Sequence, residues 1–131
     1  GIISAIAYPS YTGYVERTRR SECQGVLANF ALAMERYFAA NSTYTGAAAG
    51  GEDTGIPAAS TFVSKCPLDG SRVYYNLTIS AANNSSYTLQ AAPTGPQAGN
   101  GFIQINSSGQ KGWDRDSNGA LSNDEMNWLD R

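Results

Sequence analysis

The stretch SYTGYVERTRRSECQGVLANFALAMERYFAA, Ser10 to Ala40, decides the fold. It keeps helical spacing with no internal proline, and Cys23, Leu27, Phe30, Ala31, Met34, Tyr37 and Phe38 recur at helical intervals along one stripe. A helix of this kind buries that stripe against another layer and leaves its opposite side to solvent. Pro9, just upstream, fits a helix start or a kink. Before it, Gly1-Ile-Ile-Ser-Ala-Ile-Ala7 is continuously apolar yet far shorter than the roughly 20 residues that span a bilayer, and it has no charged leading region or stop-transfer flank. It reads as the end of a longer apolar segment. One long helix therefore opens the chain, apolar first and amphipathic afterwards.

The layer that receives the stripe is written further along. Val73, Tyr75, Leu77 and Ile79 alternate with Tyr74, Asn76, Thr78 and Ser80; Tyr87, Leu89 and Ala91 repeat the period, and Ile103 with Ile105 supplies a third run. Ala81 to Ser86 and Pro93 to Gly101 read as the turns between them. The expected fold is α+β, an antiparallel sheet of about three to four strands laid on Leu27, Phe30, Met34 and Phe38. Gly46 to Ser60, rich in small residues and carrying Pro57, reads as a partly mobile surface connection.

Composition narrows the chemistry. The chain has no histidine, which removes the usual general base and every Ser-His or Cys-His pairing. Glu16, Glu22, Glu35, Glu52, Asp53 and Asp69 are dispersed, so no catalytic constellation and no small-molecule substrate is expected. The net charge of -2 hides an asymmetry: Arg17, Arg19 and Arg20 cluster early, while Asp114, Asp116, Asp124, Glu125 and Asp130 crowd the end. With other basic residues scattered, no nucleic-acid partner is expected, and opposite-charge contacts between neighbouring copies are the livelier reading. Cys23 and Cys66 lack a C-x-x-C spacing, which argues against a redox motif or zinc site. They read as an extracytoplasmic disulfide, with two buried thiols as the other reading. Such a bridge stabilises the fold by roughly 3 to 4 kcal/mol in the chain-entropy model.

Asp114-Arg-Asp-Ser-Asn-Gly-Ala-Leu-Ser-Asn-Asp-Glu125 fills every specified position of the D-x-[DN]-x-[DN]-G-x5-E calcium loop. Calcium takes six to eight oxygens. The spacing offers them from Asp114, Asp116, the Asn118 amide, the Ala120 carbonyl, Ser122 directly or through a water, and bidentate Glu125, with Gly119 making the sharp turn. The plainer reading is a polar turn in which Ser122 and Glu125 form a capping box opening a helix from Asp124 to Leu129. Both are compatible. No helix enters the loop, because the residues from Phe102 to Trp113 read as a strand and a turn, and there is one copy only. A lone loop of this kind staples a structure rather than switching it.

Gly1-Ile-Ile-Ser-Ala-Ile-Ala-Tyr-Pro-Ser-Tyr11, Tyr14-Val-Glu-Arg-Thr-Arg-Arg-Ser-Glu-Cys-Gln24 and Glu35-Arg-Tyr-Phe-Ala-Ala-Asn-Ser-Thr-Tyr44 resemble a type IV pilin, more narrowly the PilE-type minor pilins. The stretches Tyr87 to Gln97 and Phe102 to Lys111 resemble the strands and loops that follow in those proteins. The methylated Phe and the Glu-containing apolar stretch that begin such pilins are absent, as if about a dozen residues preceded Gly1. Many relatives also close a C-terminal loop with a disulfide, whereas this chain has the calcium loop there. The resemblance implies a pilin fold with residues 1–26 as the filament-core part and residues 27–131 as a head carrying loop 114–125. It implies a structural subunit of an extracellular type IV pilus, of the kind that serves adhesion and motility. The subunit would pack with copies or other pilins and be anchored in the inner membrane before assembly. A type II secretion pseudopilin with a calcium-stabilised loop is the alternative, and a calcium-dependent adhesion module a further one. In a fibre, Ile2 to Tyr8 is expected to be extended or disordered, and in an isolated subunit helical or frayed.

Overall fold

A computed structural model describes residues 2–66 and 72–128, with side chains from Gly13 onward. Leu68, Asp69, Leu129 and Asp130, and the side chains of Ile2, Ile3, Ile6 and Tyr8, lie outside the described residues.

Helix α1 runs unbroken over Ile2–Asn41. Its inner stripe is as the spacing predicts: Cys23, Leu27, Phe30 and Met34 are fully buried, and Phe38 packs at the edge of the same cluster. The helix stops where Ser42 takes a φ of 60°, a conformation that breaks the helical ladder. Asn41 donates Nδ2 to the Tyr37 carbonyl at 2.9 Å, satisfying one of the terminal acceptors.

Against the stripe lies an antiparallel sheet of five strands in the order β1-β2-β3-β4-β5: Lys65–Cys66, Tyr75–Ala82, Tyr87–Pro93, Ile103–Asn106 and Lys111–Trp113. The three long alternating runs are β2, β3 and β4. The extra strands are the short β1 and β5, too brief to show a period of two. Tyr75, Leu77, Ile79, Leu89, Ala91 and Ile103 face inward and are buried, each large one contributing roughly 1.5 to 3 kcal/mol. Phe30 stacks on Phe62 at 5.1 Å, and Tyr44 bridges Phe38 and Tyr87 at 4.7 and 4.8 Å.

The connection from Gly46 to Ser60 lies mostly at the surface, as expected, and is anchored at several points. Ala47 and Ala48 are buried, Ala48 pairs with Pro57, and Gly55 exchanges two 2.8 Å backbone hydrogen bonds with Ile79. Small side chains let this backbone lie close to the free edge of β2, so the segment extends the sheet. The turn after β2 is held by Asn83, whose Oδ1 accepts from the Ser85 and Ser86 amides at 2.8 Å each.

Candidate metal centre

Strand β5 delivers Asp114 into the protein, where it is 2 % exposed and its amide donates to the Phe102 carbonyl at 2.9 Å. Gly101 makes this possible. Its φ is +87°, and a Cβ there would stand 1.7 Å from the Asp114 carbonyl oxygen. The loop then folds around the Asp114 carboxylate: Oδ1 accepts from the Asn118 amide at 3.2 Å and Oδ2 from the Gly119 amide at 2.8 Å. Ser117 and Gly119, with φ of 56° and 88°, make the reversal.

Glu125 closes the loop from the far side. Oε1 accepts from the Ser122 amide and hydroxyl at 3.0 and 3.1 Å, and Oε2 accepts from the Asp116 amide at 3.1 Å. The capping box is thus present, but the helix expected from Asp124 to Leu129 is a single 3-10 turn, Asn123–Glu125. The chain leaves it because Trp128 turns back onto the sheet and donates Nε1 to the carbonyls of Gln104 and Gly112 at 3.2 and 3.0 Å. Leu121 seals the other flank: a Cβ on Gly112 would lie 2.5 Å from Leu121 Cδ1.

One carboxylate oxygen each from Asp114, Asp116 and Glu125 lies within 4.8 Å of the others. Calcium–oxygen bonds of 2.3–2.6 Å place opposite ligands about 5 Å apart, so the three fit one hard cation. Two of the other expected ligands are turned to neighbours. Asn118 Oδ1 accepts from the Ala120 amide at 2.9 Å, and the Ser122 hydroxyl points at Glu125. The nearby cations are also directed elsewhere: Arg115 donates to the Asp124 carbonyl, and Lys111 Nζ lies 4.9 Å over the Trp128 ring. The electrostatics follow from this packing. Amides of Ser122 and Asp116 pull the Glu125 carboxyl down to about 2, whereas desolvation and the neighbouring Asp114 push Asp116 up.

Cys23 and Cys66 are both buried and lie beside one another where β1 meets α1. Burial first, and Cys66 second, push the Cys23 thiol up.

Sequence reasoning missed a polar clamp that fixes the helix to the loop before β4. Arg20, 4 % exposed, donates to Asn100 Oδ1 and lies 3.8 Å from the Trp113 ring centroid. Asn100 Nδ2 donates to Glu16 Oε2 at 3.0 Å, Gln97 Nε2 to the Glu16 carbonyl at 2.9 Å, and Trp113 Nε1 to the Asn100 carbonyl at 2.9 Å. The available signal was Arg20 itself, a charge three residues before Cys23 on the inward stripe.

Residues 9–101 match the family model described as "Type IV minor pilin ComP, DNA uptake sequence receptor". The match stops short of loop 114–125. Among solved structures, the chain is similar to the Neisseria meningitidis non-core minor pilin PilV, seen in a selenomethionine crystal structure of the orthorhombic form. The TM-score is 0.55 at 20% identity, covering 89% of this chain and 98% of that one. No curated protein matches the sequence.

Proposed function

We infer the function from one premise: the chain belongs to the type IV minor pilin family whose model covers its residues 9–101. It is a pilus-related structural subunit with the pilin fold. Our proposal is that it works in an extracellular type IV filament, packed with other pilins and anchored in the inner membrane before assembly, with no catalytic role. The observation that carries this is the family match itself, which favours a type IV fibre over a type II secretion pseudopilin. The proposal includes a structural ion, and the grouping of three carboxylates supports it. Asp114, Asp116 and Glu125 converge as oxygen donors for calcium, and Asn118, Ala120 and Ser122 would complete the shell after local rotation. Calcium would neutralise converging charge and hold the C-terminal segment where many relatives use a covalent bridge.

A second reading comes from the family description, which names reception of a DNA uptake sequence. That runs against the expectation of no nucleic-acid partner, drawn from the scatter of Lys and Arg outside the Arg17 to Arg20 cluster. Residues scattered in sequence can still share one face of a fold, and a receptor needs only one basic face. The subunit would then contribute to capturing DNA as well as to building the fibre.

The fibre reading is tested by photocrosslinking in cells from Tyr14, which is 61% exposed on α1. Adducts with other pilins are expected. A chain that crosslinks to no pilin, in cells making abundant fibres, overturns the reading.

A further inference from the structure

We propose that Asn118 is a site of self-modification: the Gly119 amide nitrogen attacks its side chain, and the residue converts to aspartate and isoaspartate while the protein stays folded. The sequence has two Asn-Gly steps, Asn100-Gly101 and Asn118-Gly119. A glycine after asparagine leaves the attacking nitrogen unshielded, because no Cβ stands beside it. The fold separates the two steps. At Asn100 both ends of the side-chain amide are held, Oδ1 by Arg20 and Nδ2 by Glu16. Gly101 is buried and has no room to swing, since a Cβ there would stand 1.7 Å from the Asp114 carbonyl oxygen. Asn118 and Gly119 are both exposed, and a Cβ on Gly119 would meet nothing within 4 Å.

The groups around Asn118 suit each part of the step. The Gly119 amide donates to Asp114 Oδ2 at 2.8 Å, so a carboxylate is in place to take its proton, while attack uses the nitrogen lone pair perpendicular to the N–H direction. Asn118 Oδ1 accepts from the Ala120 amide at 2.9 Å, a donor aimed where negative charge develops as Cγ becomes tetrahedral. The leaving nitrogen, Nδ2, is held by Asp116 Oδ2 at 3.2 Å. The bond from Gly119 N to Cγ forms and the bond from Cγ to Nδ2 breaks. The proton lost by Gly119 passes through Asp114 and solvent to the departing nitrogen, which leaves as ammonia. Water then opens the succinimide, at Cγ to give aspartate or at the backbone carbonyl carbon to give isoaspartate. Either product adds a negative charge to the loop. Aspartate is the other residue that the calcium motif takes at this position, and ligand charge tunes such sites. On the calcium reading, conversion to aspartate therefore tightens the site.

The test is to incubate the protein in chelator, folded and in parallel in denaturant, and to follow the peptides carrying Asn118 and Asn100 by mass spectrometry for conversion of amide to acid. Folded, Asn118 should convert at least as fast as in denaturant. Asn100, which reacts only when the clamp opens locally, should be slowed about tenfold or more by folding. Asn118→Gln should remove the conversion from its peptide, because the ring it would close is larger and forms slowly. Asn118 converting more slowly folded than in denaturant, or Asn100 keeping pace with it in the folded protein, would overturn the proposal. The consequence for calcium is read separately, by titrating calcium into wild type and Asn118→Asp. Tighter binding by the variant supports it, and equal binding removes it. Binding by neither refutes the calcium reading and leaves the conversion at Asn118 to stand or fall on the mass spectra.

Discussion

Asp114 shows how one buried carboxylate organises the C-terminal loop: its oxygens draw in the amides of Asn118 and Gly119, and its backbone sits against Gly101. Three carboxylates gathered this closely favour a divalent cation, and the proposed ion is tested by melting in calcium, magnesium and a chelator. A single extracellular-type site has a dissociation constant on the order of 10 μM to 1 mM, and calcium at a hundredfold excess should stabilise the fold by about 2.7 kcal/mol. Magnesium should do less, since it demands octahedral geometry and dehydrates reluctantly. Asp114→Ala and Glu125→Ala should lose the calcium response; a response equal to wild type in both would leave only a capped polar turn. The pH dependence without metal has a defined sign. Glu125 is depressed from 4.5 to about 2, so its contribution is full above 4.5 and is lost as pH falls toward 2. Asp116, raised instead, opposes the loop while ionised, and acidification relieves that part first. Trp128 fluorescence followed from neutral pH downward should therefore hold steady and then change between about pH 4.5 and 2. A transition centred near neutrality would contradict the assignment.

Among the elements, helix and sheet were legible because their periods are long and unmixed. The stripe from Cys23 to Met34 and the alternation of Tyr75, Leu77 and Ile79 are buried as the spacing requires. What could not be read were features made by distant contacts. Strands β1 and β5 exist because β2 and β4 offer edges, and the segment through Gly55 docks because Ile79 presents a free amide and carbonyl. The loop 114–125 was legible as a motif, yet its exit was misjudged, since the return of Trp128 depends on carbonyls of Gln104 and Gly112 far from the loop in sequence. The clamp at Asn100 is of the same kind and yields a prediction: Asn100→Ala should destabilise by about 1 to 3 kcal/mol, the cost of leaving buried and charged partners unmet. Gly101→Ala should cost at least about 2 kcal/mol, from positive φ together with collision against Asp114, as measured by denaturant unfolding. For the contact between β1 and α1, we propose that Cys23 and Cys66 are bridged in protein made in an oxidising compartment. Mass spectrometry should find no free thiol there, and two free thiols would refute the bridge.

At the scale of the whole molecule, a long helix carries a compact head, and the inward stripe of the helix from Arg20 to Met34 is already buried against that head. What remains for neighbours is the earlier part of α1, continuous in helix from Ile2 in the isolated subunit. In a fibre, the account predicts that Ile2 to Tyr8 becomes extended or disordered, with Pro9 unable to donate the hydrogen bond that would carry the helix across it. A filament map with unbroken helix through Ile6 would contradict that. The central claim, that this chain is a subunit of a type IV filament, is tested most directly by shearing fibres from cells and probing the sheared fraction for the chain. The account predicts the chain in that fraction, and its loss from it when fibre assembly is blocked. Abundant sheared fibres with the chain retained wholly in the cell bodies would contradict it.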